Sequence, residues 1–225
     1  MTKPAELYAC LYAKEFPAQA LLRLRPEMRD KPCVVMEGEP PLEQVCSLTR
    51  KARIAGLVRG MTRVEVETFP AVTVLSRLIK EEAATKSVLL ECAGGFSPRI
   101  EDKSEDGAFL CVIDIAGTGG LFGPPESLAR NLLTRVRSLG ITACIAVSHN
   151  FHAAISLAKG LSPRTQVRVI PIGEEAAALA SLPLTVLDMT EVQAETYKLG
   201  QLRLLDVLLA QSIVFRNRFR CVCRS

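Results

Sequence analysis

Leu7–Leu24, LYACLYAKEFPAQALLRL, is the stretch on which the fold turns. Leu7–Ala13 is apolar almost without a break, as in a strand buried on both faces. A short turn follows, then a helical run to Leu24. No Asp or Glu lies between Leu7 and Ala13.

Working outward, 225 residues at 48% hydrophobic content suffice for a sizeable core, as one large domain or a few small subdomains. The net charge of +4 is compatible with nucleic acid without arguing for it. Basic residues cluster at Arg23, Arg25, Arg29, Lys31, Arg50, Lys51, Arg53, Arg59 and Arg63, and again at Arg216, Arg218, Arg220 and Arg224. The eight cysteines mostly sit in apolar runs, as small core residues do, and no secretory pattern precedes them. A reduced, cytoplasmic setting is expected. Cys221-x-Cys223 has no histidine nearby and is not read as a metal site. No run reaches the roughly 18 apolar residues of a membrane helix.

After the opening unit, Pro26–Pro32 reads as a proline-bounded loop, and Cys33–Glu37 and Gln44–Leu48 as short strands. Thr49–Gly56 reads as a short helix with Thr49 as N-cap and Gly56 as its stop. A second short helix runs from Gly60-Met61-Thr62 to Glu67. Val72–Leu75 is an expected strand and Arg77–Cys92 a helix. Arg99–Glu101 and Ala108–Ile115 are expected to pair antiparallel across a polar turn, Asp102–Gly107. Then come the glycine-rich loop Gly117–Gly123, an amphipathic helix Pro125–Leu139, a strand Thr142–Ser148, a helix Asn150–Lys159 and a strand Val167–Ile170. From Gly173 the pattern is helical: Glu174–Leu182, Thr190–Leu199 and Leu202–Ala210. Without the small module after Leu24, this order fits an α+β fold with a ferredoxin-like βαββαβ unit. Gln211–Ser225 is basic and unassigned.

Four constellations could carry chemistry. Gly117–Gly123 follows a strand and precedes a helix, but matches neither phosphate-binding glycine pattern and reads as a tight connection. His149 and His152 start a helix without a third metal ligand in view, which favours a surface role. Ser148 and His149 with some Asp could be drawn as a catalytic triad, but any chain this size offers such sets. Arg50 and Arg53 share a helix face, which suits phosphate as well as it suits water. Aromatic content of 5% without tryptophan argues against base stacking as the main binding mode.

Four strings together resemble the Y-family of translesion DNA polymerases, and within it the non-catalytic ImuB-type mutasome proteins. Phe16-Pro-Ala-Gln-Ala-Leu-Leu and Arg25-Pro-Glu-Met-Arg-Asp-Lys-Pro-Cys-Val-Val35 are similar to "FYAxVE … NPxLxxKPVVV". Thr49-Arg-Lys-Ala-Arg-Ile-Ala-Gly-Leu-Val-Arg-Gly-Met61 is similar to "YEARxxGVxxGM", the most specific likeness. Phe109–Gly123 resembles "LLLDVSGxxxLFGG", and Ala146–Ala154 resembles "GISxNKxxAKxA". The likeness covers residues 7–210.

The resemblance implies a palm over 1–23 and 78–166, fingers over 24–77 and a helical thumb of helix-hairpin-helix character over 167–210. Family members continue into a little-finger domain and, in ImuB proteins, a clamp-binding segment. Neither is expected in this sequence, so a sliding-clamp contact is not expected of it. Active members hold a pair of Mg²⁺ ions on palm carboxylates. Alignment through Pro26 and Lys31-Pro32 puts Tyr12 and Lys14 at the first-strand acidic positions. Asp106 matches the Asp of the second site, with Gly107 where its Glu belongs. Asp114 matches a later, non-catalytic Asp. The triphosphate-binding Lys falls at Ile155 and the nucleotide-contacting Tyr at Arg50, while its Arg is kept as Arg53.

The resemblance therefore implies a non-catalytic scaffold in DNA damage tolerance, without a cofactor. Its expected partners are damaged or primer-template DNA, an active error-prone polymerase and a mutasome accessory protein, with no membrane. Expected phosphate or DNA contacts are Arg50, Lys51, Arg53, Arg59, His149 and Asn150. Two alternatives stay open: a weak translesion polymerase using Mg²⁺ through Asp106, Asp114 or Glu15, and a remnant without function.

Overall fold

The computed structural model describes residues 5–105, 107–162, 164–183 and 186. The helices expected at 190–199 and 202–210, the basic tail, and Asp106 lie outside the described residues.

The opening strand is β1, Tyr8–Lys14. Its alternation is finer than the sequence suggested. Ala9, Leu11 and Ala13 enter one core, Cys10 enters another, Tyr12 is half-buried and Lys14 is exposed. Helix α1, Phe16–Leu22, follows at once, with proline in its first turn, where the missing N–H costs nothing. Phe16 packs on Phe109 in the first core, while Ala18 and Leu21 pack on Val35 on the opposite side. This helix therefore touches two sheets.

The smaller sheet holds β2 (Cys33–Glu37), β3 (Gln44–Leu48) and, after α2 (Arg50–Ile54) and α3 (Arg63–Glu67), β4 (Thr73–Ser76). Its order is β3-β2-β4, with β2 antiparallel to β3 and parallel to β4. Thr49 caps α2 by accepting from the Ala52 N–H at 3.3 Å. Thr62 and Glu65 close a capping box on α3. Val34, Met36, Val45, Leu48, Ala52, Leu57 and Val66 form its core.

The chain then returns through α4, Ile79–Gly94, to the larger sheet. Strands β5 (Ile100–Asp102) and β6 (Ala108–Asp114) precede α5 (Gly119–Phe122) and α6 (Pro125–Ser138). Strand β7 (Cys144–Ser148), α7 (Phe151–Gly160), β8 (Val167–Val169) and α8 (Glu175–Ala180) complete the described elements. The sheet order is β5-β6-β1-β7-β8. Strand β1 lies at its centre, antiparallel to both neighbours, with Tyr12 opposite Leu110 on β6 and Cys144 on β7. Helices α4 and α6 cover one face through Leu89, Ala93, Leu128, Leu132 and Val136. Helices α7 and α8 cover the other through Ala153, Ala154, Leu157 and Leu179. Burying an apolar side chain of this size contributes about 1.5–3 kcal/mol, so the sheet is held from both sides. The covering stops short of Lys14, and that end of β1 opens toward the smaller sheet.

No helix among the described residues is long and apolar enough to cross a membrane. Among the described residues the cysteine thiols are free, and burial pushes those of Cys46 and Cys111 up to about 11 and about 12. They behave as core residues rather than nucleophiles.

Candidate nucleic-acid interface

The site forms where the end of β1 meets the start of β6 and the first residues after α2. The register pairs Lys14 with Ala108, so Gly107 lies one step beyond the ladder. Its φ of +82° is readily adopted only by glycine. Its carbonyl accepts from the Phe16 N–H at 3.1 Å. The Arg59 guanidinium lies flat against it. A Cβ at Gly107 would come within 3.1 Å of Nη1 and 3.2 Å of Nη2. A side chain there would press on the guanidinium, the flexible tip of Arg59, which would have to give by a few tenths of an ångström.

Between Arg59 and Lys14 lies Glu15, expected from the sequence only as an alternative metal ligand. It is 9% exposed and takes a left-handed backbone conformation, with φ of 55°, uncommon for a residue with a Cβ. Its Oε2 accepts from Ser47 Oγ at 2.9 Å, the Leu48 N–H at 3.1 Å, and Arg59 Nη2 and Nε at 2.9 and 3.3 Å. Its Oε1 accepts from Arg53 Nη2. Burial alone would raise the Glu15 carboxyl's pKa. The hydrogen bond and charge of Arg59, with Ser47 and Leu48, outweigh burial and hold it below the usual carboxylate range. No sequence signal marks this residue, because its partners stand 32 to 44 positions away.

The other expected contacts fall in different places. Arg50 is exposed and forms no ion pair among the described residues. Lys51 Nζ donates to the Asp30 carbonyl at 2.6 Å and approaches its carboxylate at 3.4 Å. Arg50 and Arg53 were expected to face phosphate together. Arg53 instead turns to Glu15, because a nearly buried carboxylate holds a guanidinium more firmly than water does. His149 Nδ1 donates to the Glu6 carbonyl at 2.6 Å, and Asn150 caps α7 by accepting from the Ala153 N–H at 2.9 Å. Both follow Ser148, which pairs with Tyr8. They thus stand at the far end of β1, about 20 Å from Lys14 at the usual strand rise. The structure does not bring them to the arginine cluster. Lys159, unremarked in the sequence, reaches Glu105 at 3.4 Å beside the β5–β6 turn.

A pair of divalent cations does not fit the described residues. Tyr12, Lys14 and Gly107 offer no carboxylate, and Glu15 is committed to the guanidiniums of Arg53 and Arg59. Among the described residues, no three His, Cys, Asp or Glu side chains gather as a metal set. The Gly117–Gly123 segment lines a cavity of about 570 Å³ with Leu7, Ile115, Pro124 and Leu128. Among the described residues lining it none is charged, so the cavity does not read as a phosphate cradle.

The chain matches the model of the impB/mucB/samB family over residues 11–159. It is similar to Protein ImuB of Caulobacter vibrioides, 30% identical over 139 residues, covering 61% of this chain and 29% of that protein. It is similar to DNA polymerase IV of Dehalococcoides mccartyi, 28% identical over 169 residues, covering 73% of this chain and 42% of that protein. In fold it is like DinB of Sulfolobus solfataricus, with a TM-score of 0.75 at 22% identity over 90% of this chain and 60% of that one. It is also like a polymerase in a structure described as an insertion ternary complex of Dbh DNA polymerase, with a TM-score of 0.73. The chain thus spans less than half the length of these curated relatives. A match across most of the chain, together with this α+β architecture, makes it a member of the impB/mucB/samB family, the Y-family polymerase domain.

Proposed function

We propose that this chain is a non-catalytic Y-family homologue that binds primer-template or damaged DNA and acts as a scaffold in translesion synthesis and damage-induced mutagenesis. One observation carries the reading. At the end of β1, where the family needs metal-holding carboxylates, the chain presents Tyr12 and Lys14, and Gly107, beside the Arg59 guanidinium, carries no carboxylate. The chain runs as a palm over 1–23 and 78–166, fingers over 24–77 and a thumb over 167–210. The placement of β1 between β6 and β7, with β5 beyond β6, supports a ferredoxin-like palm. The similarity to ImuB supports a partnership with an active error-prone polymerase and a mutasome accessory protein in the cytoplasm. Among the cations, Arg50 and Lys51 on α2 are assigned to DNA phosphate, with a further contribution from His149 and Asn150 at the opposite end of β1.

A weak translesion polymerase is the second reading. It is favoured by the matches to DNA polymerase IV, which cover more of the chain than those to ImuB. Primer extension with Mg²⁺ or Mn²⁺ separates the two. The scaffold reading expects no templated incorporation. Incorporation that disappears on Asp106→Ala would overturn it.

A further inference from the structure

The Glu15 cluster has the wrong stoichiometry for a simple ion pair. Five donor atoms converge on one carboxylate: Ser47 Oγ, the Leu48 N–H, Arg59 Nη2 and Nε, and Arg53 Nη2. Four of them crowd Oε2, and one serves Oε1. A carboxylate oxygen has about two good acceptor directions, so this donor set exceeds what Oε2 can use. A tetrahedral oxyanion, with more oxygens and more charge, would use it better. The backbone is also strained to deliver the carboxylate, since Glu15 sits at positive φ in the turn between β1 and α1. Exposure is uneven. The Arg53 and Arg59 side chains are 47% and 43% accessible, against 11% for Glu15. The donors thus face solvent on one side and their own chain on the other. Lys14, next to Glu15, is exposed and forms no ion pair among the described residues.

We infer that Glu15 is a built-in plug: its carboxylate fills an oxyanion cradle made by Arg53, Arg59, Ser47 and the Leu48 N–H, and closes it to phosphate groups. The plug pairs with both guanidiniums in the resting chain and offsets one of their two charges, so Arg53 and Arg59 tie the two sheets together instead of holding a ligand. Removing the negative charge leaves the cradle intact and cationic, with Lys14 beside it. A polyphosphate anion then finds two guanidiniums, a hydroxyl and a backbone N–H already in place. This inference goes beyond the scaffold reading.

Calorimetric titration of the full chain with inorganic tripolyphosphate tests it. Glu15→Gln is the principal variant, because its amide oxygen can still accept from Ser47 and Leu48 and so preserves the junction. Glu15→Ala is the second. Both are expected to bind tripolyphosphate at least about tenfold more tightly than the wild type, as for a newly freed charge-assisted site. Adding Arg59→Ala to Glu15→Gln should return the affinity to the wild-type level. A folded Glu15→Gln chain that binds no tighter than the wild type would overturn the plug. So would a gain that survives loss of Arg59.

Discussion

Two charged junctions hold the smaller sheet against the larger one, and they are inversions of each other. At one, a single carboxylate, Glu15, is clamped by two guanidiniums, Arg53 and Arg59. At the other, a single guanidinium, Arg77, is clamped by two carboxylates. Its Nε and Nη2 donate to Glu82 on α4 at 2.8 and 2.9 Å, and its Nη1 donates to Glu37 on β2 at 2.6 Å. In both the central group is nearly buried, 11% exposed for Glu15 and 14% for Arg77. The surroundings differ. Arg77 stands at the end of β4 with an ordinary backbone and a bidentate partner. Glu15 is strained, also carries the Ser47 and Leu48 hydrogen bonds, and lies at the end of the central strand. The Arg77 junction reads as a strut, and the Glu15 junction as its strained counterpart with more donors than one carboxylate needs.

The largest expected effect follows from that difference. Glu15→Ala leaves two guanidiniums facing each other and the buried Leu48 N–H without its acceptor, for a loss of about 3 kcal/mol. Arg77→Ala strands two carboxylates, but Glu37 is half-exposed and can turn to water, and Glu82 lies in the first turn of α4, where the helix dipole favours it. A loss of about 2 kcal/mol is expected there. Urea denaturation of both variants reads the order, and a larger loss for Arg77→Ala would break the distinction.

Acid gives a smaller, signed effect. The Glu15 carboxyl is held below its ordinary value in the folded chain, so its stabilisation is complete above the unfolded pKa of about 4.3 and is lost as pH falls through the folded value. Asp102 is shifted the same way. Burial pushes it up, but the Lys86 ammonium and Ser104 more than offset this. Wild type and Glu15→Gln share that contribution, so it cancels between them. Below about pH 4.3 the wild type should lose stability more steeply than Glu15→Gln. Parallel curves would remove Glu15 from the account.

The smallest effect concerns two arginines on one short helix. Arg50 is available to phosphate and Arg53 is occupied by Glu15. Arg50→Ala should weaken primer-template binding about threefold at low salt and reduce the salt slope by about 1. An unchanged affinity and slope would mean that α2 is no DNA-facing surface.

Local pattern carried much of the architecture. The expected Leu7–Ala13 strand is Tyr8–Lys14, and the Thr49 cap lies where its hydroxyl was placed. The helix expected at Arg77–Cys92 runs from Ile79 to Gly94, with Gly95 as its C-cap. The glycine-rich segment at 117–123, read as a loop, contains the short helix Gly119–Phe122. Such errors come from local rules overridden by packing.

Tyr12 and Lys14 in an opening strand without acidic residues, the cations of α2, and the alternation of strands and helices were all determined by the sequence itself, since periodicity and side-chain chemistry are properties of neighbours along the chain. What only the tertiary structure decided was which cations stay available. Glu15 sits beside Ser47, Arg53 and Arg59 because α1 packs against both sheets at once, and a contact that spans 44 positions leaves no local trace. The same packing puts Arg59 on Gly107 and carries His149 and Asn150 to the other end of the central strand. Through-space charge and excluded volume act between residues that fold topology makes neighbours, and they turned a row of arginines into one free cation on α2 and two that are held.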